Sequence, residues 1–221
     1  MIRVFRGVIV ATVVVSGVAT VAAKDWPQIL GPTRNGIYAG PEIISSFPRT
    51  GPPLLWKRDV GAGFAGPSVV GDRLVLFHRV NNRETVEAMD VLTGKTIWTF
   101  DYATAYRDDF GFDEGPRAPP VIANGRVFTH GADGMLHGID LKTGKMLWSV
   151  DTRATFDAPK GYFGVASSPV VDGDRVLVNV GGKKGLGSSK PGEGGGIDAY
   201  LQHLGVPAED LKSIRGLLVA R

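Results

Sequence analysis

The sequence predicts an all-β fold: a partial β-propeller of four-stranded antiparallel blades, forming an open arc of about two full blades plus partial blades. Three observations carry this expectation. A nine-residue pattern occurs twice, fifty residues apart, as Asp90-Val-Leu-Thr93-Gly94-Lys95-Thr-Ile-Trp98 and Asp140-Leu-Lys-Thr143-Gly144-Lys145-Met-Leu-Trp148. A leading half recurs with it, with Pro67, Pro120 and Pro169 each standing six residues before Arg73, Arg126 and Arg175. A trailing context recurs as well, in Trp56-x-x-Asp59, Trp98-x-x-Asp101 and Trp148-x-x-Asp151. A period near 50 residues marks a propeller blade or a solenoid unit, which buries its faces against its neighbours.

Each strand has its own signal. Between the prolines and arginines lie Val69-Val70, Val121-Ile122 and Val170-Val171, followed by the turn pairs Gly71-Asp72, Asn124-Gly125 and Gly173-Asp174. After the arginines come Leu74-Val75-Leu76-Phe77, Val127-Phe128-Thr129 and Val176-Leu177-Val178. Short β-rich runs bounded by Gly, Asn and Asp read as strands joined by hairpins. The Thr-Gly-Lys element is a further turn, where Asp and Thr oxygens accept backbone N–H groups and Gly takes positive φ. The predicted strands lie near 67–71, 73–79, 83–90 and 95–100 in the first blade, and near 119–123, 126–130, 135–140 and 145–150 in the second. The tryptophan falls on the outermost strand, where a large flat side chain packs against the next blade. Residues 54–60, with Trp56, read as the last strand of a blade whose other strands are absent from the sequence.

The N-terminus starts basic, with Arg3 and Arg6, and then runs uncharged from Gly7 to small residues at Val21-Ala22-Ala23. Residues 1–23 therefore read as a secretory signal peptide, and a retained anchor is the rival reading. The expected location is exported, periplasmic or extracellular, with no membrane span after cleavage. Losing both arginines lowers Lys plus Arg from 25 to 23 against 22 acidic residues, a net charge of +1. That balance gives no support for nucleic-acid binding. With no cysteine in the chain, disulfides and an N-terminal lipidated Cys are both excluded. Residues 24–53 are rich in Pro and Gly and read as an extended lead-in over the propeller surface. Residues 183–221 break the repeat with a glycine-rich, flexible stretch, then a possible short helix with Leu211, Ile214 and Leu218 on one face. That tail is either a docking helix or the product of truncation or a reading-frame change near residue 185.

The Asp-x-x-Thr-Gly-Lys-x-x-Trp pattern, with Ala88 or Gly138 two residues before its Asp, resembles the tryptophan docking motif of pyrroloquinoline-quinone (PQQ)-type β-propellers. The resemblance covers residues 54–182 and marks Asp90, Thr93, Gly94, Trp98, Asp140, Thr143, Gly144 and Trp148 as structural repeat residues. The superfamily includes quinoprotein alcohol dehydrogenases and a scaffold lipoprotein of outer-membrane assembly. The dehydrogenases commonly use a vicinal cysteine pair and the lipoprotein a lipidated Cys, and this chain has neither. By resemblance alone, the quinone with calcium is a possible cofactor; the residues themselves predict none.

Two long loops, 101–118 and 151–168, carry aromatics beside glycines and begin alike, with Ala103-Thr104 and Ala154-Thr155. Loops of that length are commonly functional or packed surfaces. Arg117, with Asp113 and Glu114, is the ligand-binding candidate: its guanidinium could meet an anion in the central channel, or simply pair with Asp113 or Glu114. Asp108, Asp109, Asp113 and Glu114 supply enough oxygens for a divalent cation, but their spacing is not an alternating calcium loop. The other reading is a solvated acidic loop balanced by Arg107 and Arg117.

His130 and His137 could face each other across a hairpin, yet two histidines without a third ligand make a poor zinc site. Ser167-Ser168 lacks a nucleophile elbow, so no catalytic residue is expected. The residues thus point to a noncatalytic binding or assembly module, with a protein partner or small ligand on the loops or central channel. Self-association through open blade edges is a further expectation. The alternative is a fragment of a quinone-dependent alcohol dehydrogenase-like oxidoreductase.

Overall fold

A computed structural model of the chain describes residues 25–41 and 46–180. The expected signal peptide and C-terminal tail lie outside the described residues. The first sheet runs in the order β1 (Ser68–Val70), β2 (Arg73–Val80), β3 (Arg83–Asp90) and β4 (Thr96–Ala103). The second repeats it with β5 (Val121–Ala123), β6 (Arg126–His130), β7 (Met135–Asp140) and β8 (Met146–Asp151). A two-stranded hairpin follows, β9 (Val170–Asp172) and β10 (Arg175–Leu177). All neighbouring strands are antiparallel. This is the arc of a β-propeller.

The expected turns form for the expected reasons. Asn124 and Gly125 both take positive φ, 51° and 69°, the backbone that a tight hairpin with native twist requires. At the Thr-Gly-Lys turns, the Asp90 carboxylate accepts from the Thr93 backbone N–H at 2.8 Å and the Thr93 hydroxyl at 2.7 Å, and Asp140 does the same for Thr143. The hydroxyl and amide bonds from Thr93 hold the Asp90 carboxyl below its usual pKa range, and those from Thr143 do so for Asp140. Just beyond each turn the ladder shifts register, between Ala88 and Met89 and between Gly138 and Ile139. These shifts lie opposite Trp98 and Trp148, and such irregularities re-aim side chains.

The core lies between the two sheets. Val75, Phe77, Val86 and Ala88 of the first blade pack with Ile122, Val127 and Ile139 of the second. A polar contact crosses the same interface. The buried Glu84 carboxylate accepts from the Tyr102 hydroxyl at 2.5 Å and from the Ala132 N–H of the next blade at 2.8 Å. Burial pushes the Glu84 carboxyl up, against the lowering effect of these two bonds.

Two expectations need correcting. Residues 54–60 form no strand, because no neighbouring ladder exists for them among the described residues. Loop 151–168 is not irregular throughout: it opens with α1 (Thr152–Phe156). Asp151 caps that helix by accepting the Ala154 N–H at 2.9 Å, and Asp157 ends it in the left-handed region, as a capping Asp and an αL terminator do.

Candidate functional site: the two inter-blade loops

The marked tryptophans are structural side chains. Trp98 donates its indole N–H to the Leu141 carbonyl of the next blade at 2.9 Å, and its ring lies over Gly144, where a Cβ would fall 2.6 Å from the ring. Trp56 does the same one blade earlier, bonding the Val91 carbonyl at 3.0 Å and covering Gly94. Only glycine, at φ +72° or +66°, leaves room for that ring. Among the described residues Trp148 has no such partner in a following blade; its ring folds onto Gly138 and Phe128 of its own sheet. Both motif tryptophans are half-buried rather than fully buried.

The loops between blades meet on one face. Lys160 of the second loop pairs with Asp109 of the first at 2.6 Å. Beneath that pair lies Tyr106, a side chain that sequence reasoning passed over. It is buried, with the Arg117 guanidinium 4.8 Å from its ring centroid and the Lys160 ammonium at 5.3 Å. Gly164 approaches Tyr106 so closely that a Cβ would sit 2.6 Å from the ring. Two cations against one buried aromatic ring attract it and form a pillar between the loops. Above it, Phe110, Phe112, Tyr162 and Phe163 are 50–76% exposed, with Phe110 within 5.4–6.2 Å of the other three rings. Aromatics next to Gly in both loops were the sequence signal for this cluster; their convergence depends on blade geometry and could not be read from spacing.

Arg117 faces this pillar. Its guanidinium donates to the carbonyls of Gly115 and Asp113, ion-pairs with Asp108 at 3.8 Å, and lies over Phe64 as well as Tyr106. Its carboxylate partner is therefore Asp108 rather than Asp113 or Glu114. The four acidic residues proposed for a cation go to separate partners. Asp108 accepts from the Phe112 N–H at 2.6 Å and Asp109 pairs with Lys160. Asp113 accepts from Gly115 at 2.6 Å, and Glu114 pairs with Arg107 at 3.1 Å and Arg79 at 3.4 Å. Among the described residues, no group of three or more His, Cys, Asp or Glu is placed to hold a metal ion.

The histidines do not face each other. Across the β6–β7 ladder His137 stands opposite Thr129, and His130 opposite Leu136. His130 contacts the Thr152 hydroxyl at 3.1 Å, and the His137 ring lies tilted against Tyr102 with centroids 4.3 Å apart. Burial lowers each imidazole to about 4. Ser167 donates to the Asn179 carbonyl at 3.1 Å.

Residues 42–191 match the PQQ-repeat family model described as outer membrane protein assembly factor BamB. The chain belongs to this family. Among proteins resembling this PQQ-repeat chain, the quinohemoprotein alcohol dehydrogenase of Comamonas testosteroni is 31% identical over 179 residues, covering 80% of the chain and 24% of that protein. Quinohemoprotein alcohol dehydrogenase ADH-IIG of Pseudomonas putida is 30% identical over 136 residues, 60% of the chain and 18% of that protein. The crystal structure of the Comamonas enzyme superposes with a TM-score of 0.50 at 27% identity, over 74% of the chain and 24% of that structure. The chain thus spans about a fifth to a quarter of the length of these relatives.

Among the described residues, the side chains that could meet a quinone are engaged elsewhere. Trp56 and Trp98 are held against glycine turns, the Arg117 guanidinium is engaged by two carbonyls and Asp108, and the nearby carboxylates have their own partners.

Proposed function

We propose that this PQQ-repeat chain is an exported, noncatalytic binding or assembly module, and that it binds through the face built by its two inter-blade loops. One observation carries the reading. Four exposed aromatic rings cluster on two loops joined by the Lys160–Asp109 pair, while the described side chains that could serve a cofactor are committed to packing. An exposed aromatic cluster costs free energy in water, and surfaces that retain one are commonly interaction sites. Of the sequence candidates, Glu114, with 41% of its side chain exposed, is the polar group open to a protein partner or small ligand, while Arg117 and Asp113 support the face from within. Export rests on the N-terminal sequence, with its basic start, apolar run and small-residue end, and points to the periplasm or the exterior.

A second reading is favoured by the similarity to quinohemoprotein alcohol dehydrogenases: the chain corresponds to part of a quinone-dependent oxidoreductase. Titration with pyrroloquinoline quinone, with and without calcium, separates the two by absorbance. The binding-module reading expects no tight complex. A dissociation constant below about 1 μM, roughly −8 kcal/mol, would favour the oxidoreductase reading.

A further inference from the structure

The inner strands β1 and β5 each pair with a neighbour on one edge only. Their other edges are covered by the lead-in. Trp26 and Val69 exchange both backbone hydrogen bonds, at 2.8 and 2.9 Å, and the Ile122 N–H donates to the Pro27 carbonyl at 2.8 Å. Asp25 accepts the Gly71 N–H at 2.8 Å, and Arg34 reaches the Pro169 carbonyl, just before β9, at 3.4 Å. Residues 25–34 therefore touch three successive repeats at their inner edges.

The lead-in is shaped for this. Gln28 accepts two bonds from the Arg34 guanidinium, at 3.0 and 2.8 Å, and donates to the Pro32 carbonyl at 3.1 Å. Gly36 closes back on the Leu30 carbonyl at 2.9 Å. Gly31, at φ +78°, leaves space for the Trp26 ring, where a Cβ would lie 2.8 Å from it. Pro27 has no N–H to leave unpaired and contributes only its carbonyl. An exposed strand edge accepts an extended peptide through backbone bonds, and flanking side-chain contacts supply selectivity.

We infer that the inner edge of β1 and β5, with the Pro169 carbonyl beyond them, is a peptide-acceptor site for an extended Trp-Pro-Gln segment carrying a guanidinium six residues after its Gln. The chain's own residues 25–36 occupy it in cis. The segment is a clasp. It fastens the repeats at their inner edges, as Trp56 and Trp98 fasten them at the outer ones.

The test uses the full chain and amide hydrogen exchange read residue by residue. In Trp26→Ala, the Val69 and Ile122 amides, which lie in different blades, should lose protection together by at least about tenfold, while Phe77 and Val86 in the β2–β3 ladder keep theirs. A synthetic peptide of residues 25–37, added to that variant, should restore both. If Trp26→Ala also loosens the β2–β3 ladder, Arg34→Ala is the reporter, with a smaller loss expected at the same two amides. Unchanged protection of Val69 and Ile122 in the readable variant, or no restoration by the peptide, would overturn the site. Wild-type protection at these two amides that rises with chain concentration while that of Phe77 and Val86 does not would overturn occupation in cis, because a second copy would then supply the segment.

Discussion

The same tryptophan meets two environments, and the difference sets what each contributes. Trp98 has a carbonyl partner and a glycine seat in the next blade; Trp148 lies on its own sheet against Gly138. Full burial of a tryptophan is worth about 3–5 kcal/mol on truncation, so half-buried Trp98→Ala should cost about 2 kcal/mol in urea unfolding, and Trp148→Ala clearly less. Equal costs would mean that the contact with the next blade contributes nothing. Gly144→Ala should mimic the loss of Trp98, since its Cβ would meet the ring at 2.6 Å at φ +72°. These residues were legible in the sequence because the repeat spaces them identically and turn chemistry explains each one. Tyr106 was not. Its burial comes from Gly164 and from cations on two loops that only the fold brings together.

At the scale of elements, the strands were legible through alternation and turn pairs, and the loops were not. Helix α1 is a single turn set by its Asp151 cap, too short to leave a periodic apolar pattern. The first inter-blade loop, which starts after Ala103 rather than at the expected residue 101 because β4 runs on to Ala103, is organised by Asp108. Burial tends to raise its carboxyl, but the backbone bonds from Phe112, Asp113 and Phe110 outweigh burial and hold it below the usual range. A depressed carboxyl stabilises the fold above its unfolded pKa, and the benefit fades as pH falls through the lower folded value. Asp108→Ala should therefore free the Phe112 and Asp113 amides and open the loop to proteolysis near 110–112, leaving the β2–β3 ladder unchanged. Unaltered exchange at both amides would show that Asp108 does not shape the loop.

For the whole molecule, three buried imidazoles set an acid limit: burial lowers His78 as well as His130 and His137, and the last two are lowered furthest. His130 and His137 are neutral in the fold, lowered to about 4 from the ordinary 6.5 by burial. The unfolded chain takes up protons first, so stability is full above pH 6.5 and falls as pH drops toward 4. The loss is of order 3 kcal/mol for each of His130 and His137. Denaturant unfolding at pH 7 and pH 5 should show that slope, and a His130→Gln, His137→Phe double variant should flatten most of it. An equal slope in the variant would place the acid sensitivity elsewhere. Among the described residues, the exposed Met146, Leu147 and Val150 on β8 and Leu54 and Leu55 before Trp56 leave apolar surface on the outer strand of the second blade and ahead of the first. Light scattering after size exclusion should accordingly give a mass above that of the monomer, which is 23.5 kDa for the full 221 residues, at concentrations of about 10 μM and higher. A monomer throughout that range would mean that this surface is covered.

Blade docking by tryptophan is the claim on which the rest depends, and the indole N–H groups report it directly. With the four tryptophans assigned by single substitution, hydrogen exchange followed by NMR should show the Trp56 and Trp98 indole protons protected by their carbonyl partners, Val91 and Leu141, and the Trp148 indole proton exchanging faster. Fast exchange at Trp98, or protection at Trp148 equal to that at Trp98, would contradict it.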